Sequence, residues 1–129
     1  MSKVVLDTSA VLAYLFDEKG TESVEQLLEN SICLISSVNY AELVSKLVDK
    51  GMPLADAIAA IDNLELEFVA QDKHQAEINA DLRPISKPFG LSLGDRACLA
   101  LGMIENLPVV TADRVWEKLP STINVQVIR

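Results

Sequence analysis

Four acidic residues, Asp7, Glu42, Asp95 and Asp113, have the types and positions to do chemistry. Asp7 directly follows the β-branched run Lys3-Val4-Val5-Leu6, and Asp113 stands two residues past Thr111 at the end of Pro108-Val109-Val110-Thr111. Glu42 lies early in the helix predicted after Ile32-Cys33-Leu34-Ile35, and Asp95 falls in the first turn of a helix predicted over Leu93–Glu105. Each acid also has a plain structural account. Asp7 and Asp113 are placed to cap helices, and Asn39–Glu42 and Ser92–Asp95 both have capping-box spacing. Singly, capping and function explain each acid equally well. Jointly, four capping acids have no reason to favour the strand-exit edge of one sheet.

Carboxylates gathered in one cleft need a partner. Two of them about 4 Å apart repel by roughly 4 kcal/mol at an effective dielectric near 20, so a cluster takes up protons or a cation. Oxygen-only ligands select a hard ion, Mg²⁺ or Mn²⁺, over zinc. The single histidine, His74, lies in a polar helix and reads as a surface residue. One such ion, or two, can activate water and stabilise the leaving oxygen in phosphodiester hydrolysis.

The elements that must position these acids alternate. A strand over residues 3–6 leads through Asp7-Thr8-Ser9 into a helix, and a second helix spans about 22–30. A short buried strand at 32–35 is followed by an amphipathic helix from Asn39, with Leu43, Val44, Leu47 and Val48 at three- and four-residue spacing, ending before Gly51. Pro53 opens another helix at its first turn. Leu64–Ala70 reads as an edge strand followed by a helix to about Leu82, and Arg83–Gly90, with two prolines, as a loop. After the 93–105 helix come a strand at 108–111, a short helix from Arg114 to Leu119 and a last strand at 125–128. Short apolar strands separated by helices predict a three-layer α/β/α domain on a parallel sheet of about five strands, with ligands at the carboxyl ends of the strands. The whole chain, 1–129, reads as one domain without repeats or linkers.

Nineteen acidic against eleven basic residues give a net charge of −8, which argues against broad nucleic-acid binding by phosphate neutralisation. No apolar run is long enough to span a membrane, and the start of the chain does not read as a signal peptide, so a soluble cytoplasmic protein is expected. Cys33 and Cys98, in apolar surroundings without C-x-x-C spacing, read as buried reduced thiols.

Four segments in order, Val4-Val5-Leu6-Asp7-Thr8-Ser9-Ala10, Ser37-Val38-Asn39-Tyr40-Ala41-Glu42-Leu43, Leu91-Ser92-Leu93-Gly94-Asp95-Arg96-Ala97-Cys98-Leu99-Ala100 and Val110-Thr111-Ala112-Asp113-Arg114, resemble the PIN-domain ribonucleases. The similarity runs nearly end to end, and the nearest subgroup is the VapC-like toxins of toxin–antitoxin pairs. The resemblance implies a Mg²⁺- or Mn²⁺-dependent endoribonuclease on a parallel sheet of order 3-2-1-4-5. It implies Asp7 and Asp95 as primary metal ligands, Glu42 as a residue that orients metal-bound water or binds the ion, and Asp113 as the second side of the site. Ser9 and Thr111 match small hydroxyl positions that orient the acids, although Thr111 also fits a plain strand residue. A small antitoxin protein and a homodimer are the implied protein partners, with RNA as substrate. Arg96 and Arg114, each beside an acid of the quartet, fit substrate contact or pairing with that acid about equally. Arg83, Lys87 and Lys118 could also meet the phosphates, with solvated surface charge the better reading for Arg83 and Lys87.

Other readings fare worse. A phospho-acceptor receiver domain needs paired acids after the first strand and an acceptor Asp after the second, and a dehalogenase-type phosphatase needs D-x-D where this chain has Ser9. No glycine-rich phosphate loop is present. The remaining alternative is a catalytically silent PIN-like module that acts through protein contacts alone.

Overall fold

A computed structural model describes all residues, 1–129. The elements are β1 (Lys3–Leu6), α1 (Thr8–Leu15), α2 (Thr21–Asn30), β2 (Ile32–Ser36), α3 (Ser37–Asp49), α4 (Leu54–Asp62), β3 (Glu67–Val69), α5 (Lys73–Asp81), α6 (Arg83–Ser86), a 3₁₀ turn (Lys87–Phe89), α7 (Leu93–Glu105), β4 (Val109–Thr111), a second 3₁₀ segment (Arg114–Lys118) and β5 (Val125–Val127). The five strands form one sheet in the order β3-β2-β1-β4-β5, and every pairing is parallel. This is the expected three-layer α/β/α arrangement, with the expected strand order.

Period-two alternation in the central strands divides the interior between the two faces. Val4 and Leu6 of β1 join Cys33 and Ile35 of β2 and Val110 of β4 in the core covered by α1, α2, α3 and α4. Val5, Leu34 and Val109 point the other way, into the core closed by α7, Leu82 and Trp116. Both cysteines are buried and free, and burial pushes the Cys33 thiol up to about 11, so neither ionises near neutral pH. No helix is long and apolar enough to cross a membrane.

Several boundaries differ from expectation for identifiable reasons. The Asn39–Glu42 capping box does not form. The helix starts two residues earlier, where the Ser36 hydroxyl accepts from the Val38 amide at 3.3 Å, so Asn39 lies inside α3 and is fully buried. Pro53 is the residue that caps α4 and not its first helical residue. The third strand is shorter than expected because Glu65 adopts φ +56°, which turns the chain before Glu67. Arg83–Gly90 is not an open loop. Pro84 and Pro88 occupy first-turn positions, where a missing N–H costs nothing, so α6 and a 3₁₀ turn form, and Gly90 at φ +71° closes them. Arg114–Lys118 forms 3₁₀ rather than α-helix. The end of α3 is a Schellman turn: Gly51, at φ +98°, donates to Val48 and Met52 donates to Leu47.

Candidate active site

The strand order reverses between β1 and β4, and Leu6 pairs with Val110 across that point. Crevices for ligands open at the carboxyl ends of strands where such a reversal occurs. Asp7 leaves β1 there, and Thr111, Ala112 and Asp113 leave β4 beside it. A cleft of about 290 Å³ lies at this edge, lined by Asp7, Thr8, Ser9, Leu12, Glu42, Lys46, Ser92, Asp95 and Asp113. All four acids of the quartet therefore face one cleft. A larger cleft, about 510 Å³, lies among Ile35, Tyr40, Ile61, Asp62, Leu66 and Phe68, but its only polar side-chain groups are the Asp62 carboxylate and the Tyr40 hydroxyl that donates to it.

Asp7 is the buried member, only 2% exposed. It occupies the cap position of α1, yet its side chain makes no capping bond. Its Oδ2 instead accepts from the Ser9 hydroxyl at 2.6 Å and from the Thr111 hydroxyl at 2.9 Å. Those hydroxyls are themselves held: Ser9 Oγ accepts from the Ala112 amide and Thr111 Oγ1 from the Asp113 amide. Ser9 and Thr111 thus hold the Asp7 carboxylate by hydrogen bonds. The other carboxylate oxygen, Oδ1, is buried and has no hydrogen-bond partner. Burial, helped by the nearby charge of Asp95, raises the Asp7 pKa to about 6 against the lowering effect of the Ser9 and Thr111 bonds.

Asp95 does two jobs. Its Oδ2 accepts from the Ser92 amide at 2.9 Å while Ser92 Oγ accepts from the Asp95 amide, a complete capping box at the start of α7. Burial raises its pKa, and so do the charges of Glu42 and Asp113, while the Ser92 bonds pull the other way. Asp95 is therefore electrostatically coupled to each of the other three acids. Glu42, one turn into α3, accepts a short hydrogen bond from the Thr8 hydroxyl. Asn39, on the same helix, donates to Thr8 Oγ1 at 3.0 Å and to the Gly94 carbonyl at 3.2 Å, tying α1, α3 and α7 together beneath the cleft. A Cβ at Gly94 would stand 2.8 Å from Glu42 Oε2, so only glycine lets the start of α7 approach this carboxylate. Asp113, exposed at the rim, caps the segment after β4 by accepting from the Val115 amide at 3.1 Å. Capping is thus real for Asp95 and Asp113 and absent for Asp7 and Glu42.

As they stand, no three of these carboxylates form a closed ligand set. Each acid instead accepts from donors close by. The residues nonetheless suit a hard divalent cation. The donors are all oxygen, the orphaned Asp7 Oδ1 is a buried lone-pair site without a partner, and two carboxyls are raised in pKa by their surroundings. Cys98 is fully buried and does not line the cleft, and burial together with the charges of Asp7, Asp95 and Glu42 holds its thiol well above its ordinary pKa.

Neither arginine lines the cleft or pairs with the acid beside it. The Arg96 guanidinium turns back onto α5, donating to the Asn79 carbonyl at 3.3 Å, with its Nε buried; it neither pairs with Asp95 nor lines the cleft. Being next to Asp95 in sequence, Arg96 leaves α7 about 100° around the helix from it, which carries its side chain to a different neighbour. Arg114 is exposed beyond the cap of Asp113 and outside the cleft lining, as are Arg83, Lys87 and Lys118. Sequence reasoning missed Thr8, Asn39, Gly94 and Lys46. Asn39 and Lys46 carried a readable signal, being three residues before and four after Glu42 and hence on its helix face. Gly94 carried none, because a close approach between two helices is visible only in three dimensions.

The sequence profile of the PIN domain matches residues 4–121. The chain belongs to the PIN-domain family. Among curated proteins, this PIN domain is 28% identical to the VapC ribonuclease Mb2780c of Mycobacterium bovis and to ribonuclease VapC42 of Mycobacterium tuberculosis, in each case over 83% of this chain and 88% of the relative. Among solved structures, it superposes on VapBC2 from Rickettsia felis bound to a promoter DNA fragment with a TM-score of 0.75 at 19% identity, covering 97% of this chain and 98% of the other. DNA-bound VapBC from Salmonella typhimurium gives 0.74 at 21% over the whole of both chains. VapC20 of Mycobacterium tuberculosis, a toxin that cleaves the sarcin–ricin loop, gives 0.72 at 16%, covering 89% and 93%. These structural likenesses establish the fold, and the family match agrees with the resemblance read from the four motifs.

Proposed function

We propose that this PIN domain is a divalent-metal-dependent endoribonuclease and the toxin of a toxin–antitoxin pair. The observation that carries the proposal is the buried, unpartnered Oδ1 of Asp7 in a cleft it shares with Glu42, Asp95 and Asp113. The ribonuclease names of its relatives and the toxin–antitoxin complexes among its structural neighbours support the same reading. A silent module would have no use for a buried carboxylate raised to about 6 and held on two hydroxyls.

Asp7 and Asp95 would hold Mg²⁺, or Mn²⁺, with Glu42 and Asp113 completing the cage. When bound, such an ion supplies Lewis acidity at the scissile phosphate and a nucleophilic water near neutral pH. The chain's own residues do the rest. Ser9 and Thr111 hold Asp7 in one rotamer, so its Oδ1 is aimed before any ligand arrives. Thr8, itself held by Asn39, sets the direction of Glu42, which would orient the attacking water and take its proton. The Ser92–Asp95 box fixes Asp95 on the first turn of α7, where the helix N-terminus also favours the gathered negative charge.

A small antitoxin bearing an Arg or Lys would mask this anionic cleft, competing with the metal for the same oxygens, and the chain would act as a homodimer in the cytoplasm. Purified chain incubated with total cellular RNA should generate discrete ends in Mg²⁺ or Mn²⁺ and none in EDTA. Induced expression should arrest growth, and Asp7→Ala should release the arrest. A wild-type chain that cuts no RNA and leaves growth unaffected would overturn the proposal in favour of the silent module.

A further inference from the structure

A chain of charge −8 with an acidic cleft still has to bring a polyanion to that cleft, and the arginines nearest in sequence are not there to help. Lys46 is the sole basic residue lining it. It stands four residues after Glu42 on α3, the spacing at which a Glu–Lys pair ordinarily forms. The pair is not made. The Glu42 carboxylate is engaged by Thr8, no carboxylate lies within 4 Å of the Lys46 ammonium, and the chain's one ion pair joins Arg129 to Glu18 far away in sequence. One turn further along the same stripe, Lys50 is likewise exposed and free of carboxylates. It lies 4.9 Å above the ring of Phe16, the residue one turn beyond Leu12 on α1.

The cleft at the quartet is thus flanked by Leu12 of α1 and Lys46 of α3, and beyond it Lys50 and Phe16, at the ends of the same two helices, lie against each other. The lysines are about 6 Å apart along the axis of α3, on the order of one nucleotide step. The half-exposed Phe16 ring holds the second ammonium over the groove, so less side-chain freedom is lost when it meets a phosphate. Two unpaired cations in line with an anionic pocket favour a phosphate backbone over a basic peptide, which they would repel.

We propose that the groove between α1 and α3 is the track for single-stranded RNA, with Lys46 and Lys50 contacting consecutive backbone phosphates beside the scissile one. The proposal rests on the nuclease reading and adds to it the path of the substrate. Both contacts are to phosphate and therefore carry no base preference.

Lys46→Ala, Lys50→Ala and the double variant test it on the full chain. Both side chains are exposed and free of carboxylates, so the melting curve of Lys46→Ala should match the wild type and that of Lys50→Ala should fall only slightly, through loss of its contact with Phe16. Binding of a fluorescently labelled single-stranded RNA, followed by anisotropy in EDTA over a KCl series, should lose about 0.7 of log–log salt slope per lysine. Cleavage in Mg²⁺ should show KM raised roughly fivefold per lysine, equally for RNAs of different sequence, with kcat within about threefold. Lys46→Arg should restore most of the loss. If wild type cleaves and the double variant keeps its KM and salt slope, the track is refuted and the groove is left to a protein segment. A fall in kcat at constant KM refutes it too, since the lysines would then act on the carboxylates. A wild type that neither binds nor cuts RNA fails earlier, at the nuclease reading itself.

Discussion

The orphaned carboxylate of Asp7 makes a prediction opposite to the usual outcome for a buried-residue substitution: without metal, Asp7→Asn should stabilise the fold. Burial lifts the Asp7 pKa from 3.8 to about 6. Each pKa unit corresponds to about 1.4 kcal/mol, so the ionised form costs the metal-free fold about 3 kcal/mol at neutral pH, with no discount for solvent screening at 2% exposure. The folded chain prefers the protonated carboxyl. Its favourable contribution is therefore complete below about pH 4, the unfolded value, and is lost as pH rises through about 6. Asparagine carries no charge over that range, and its carbonyl oxygen still accepts from Ser9 and Thr111, although its amide replaces the orphaned oxygen without gaining a partner. The net gain at pH 7.5 in EDTA should be about 1–3 kcal/mol, or roughly 4–10 °C in Tm for a chain of this size. The gap should shrink toward zero as pH falls from 6 to 4. Added Mg²⁺ should reverse the order, since binding to the native state raises the stability of wild type alone. Calorimetry of both proteins across pH 4–8, with EDTA and with Mg²⁺, reads all three effects. An Asp7→Asn protein that melts below wild type at pH 7.5 in EDTA, or a gap that does not change with pH, would refute the reasoning.

Gly94→Ala should cut cleavage by tenfold or more, because its Cβ meets the Glu42 carboxylate at 2.8 Å and pushes it off Thr8, while thermal stability changes by no more than about 1 kcal/mol, better helix propensity offsetting the disturbed hydrogen bond; kcat and Tm measured side by side decide this. Asp95→Asn should abolish cleavage yet change metal-free stability by no more than about 1 kcal/mol, since weaker capping and relieved repulsion offset each other, as a denaturant titration will show. Arg114→Ala should leave kcat/KM within about twofold, whereas Arg96→Ala should lower Tm because it strips a side chain packed between α5 and α7; equal, large losses of activity without loss of stability would restore both to the substrate interface.

The acids and the scaffold that gathers them were legible because both follow from short-range rules. Apolar runs such as Val4–Leu6 and Val109–Val110 can only be central strands, helices between them force parallel crossovers, and residues just past the strand ends must then share an edge. Side-chain direction was not legible. Asp7 and Asp113 look alike in sequence, each an Asp after a strand and before a helical turn, yet one turns inward to two hydroxyls and the other caps. Arg96 sits beside Asp95 in the chain but serves α5, because adjacent helix positions face different neighbours. The start of α3 was misplaced by two residues because Ser36, the last residue of β2, is also the cap, and overlap of that kind leaves no polar gap to read. Arg83–Gly90 became helical because proline breaks a helix interior but not its first turn.

The central claim is that the four carboxylates form a divalent-metal site on which RNA cleavage depends. Mn²⁺ titrated into the full chain and followed by electron paramagnetic resonance tests it most directly, with wild type, Asp7→Asn and Asp95→Asn compared in the same RNA-cleavage buffer. Stoichiometric binding by wild type, weakened at least about tenfold in both variants together with loss of cleavage, is the predicted result. RNA cleavage that persists in EDTA, or Mn²⁺ binding that neither substitution weakens, would contradict it.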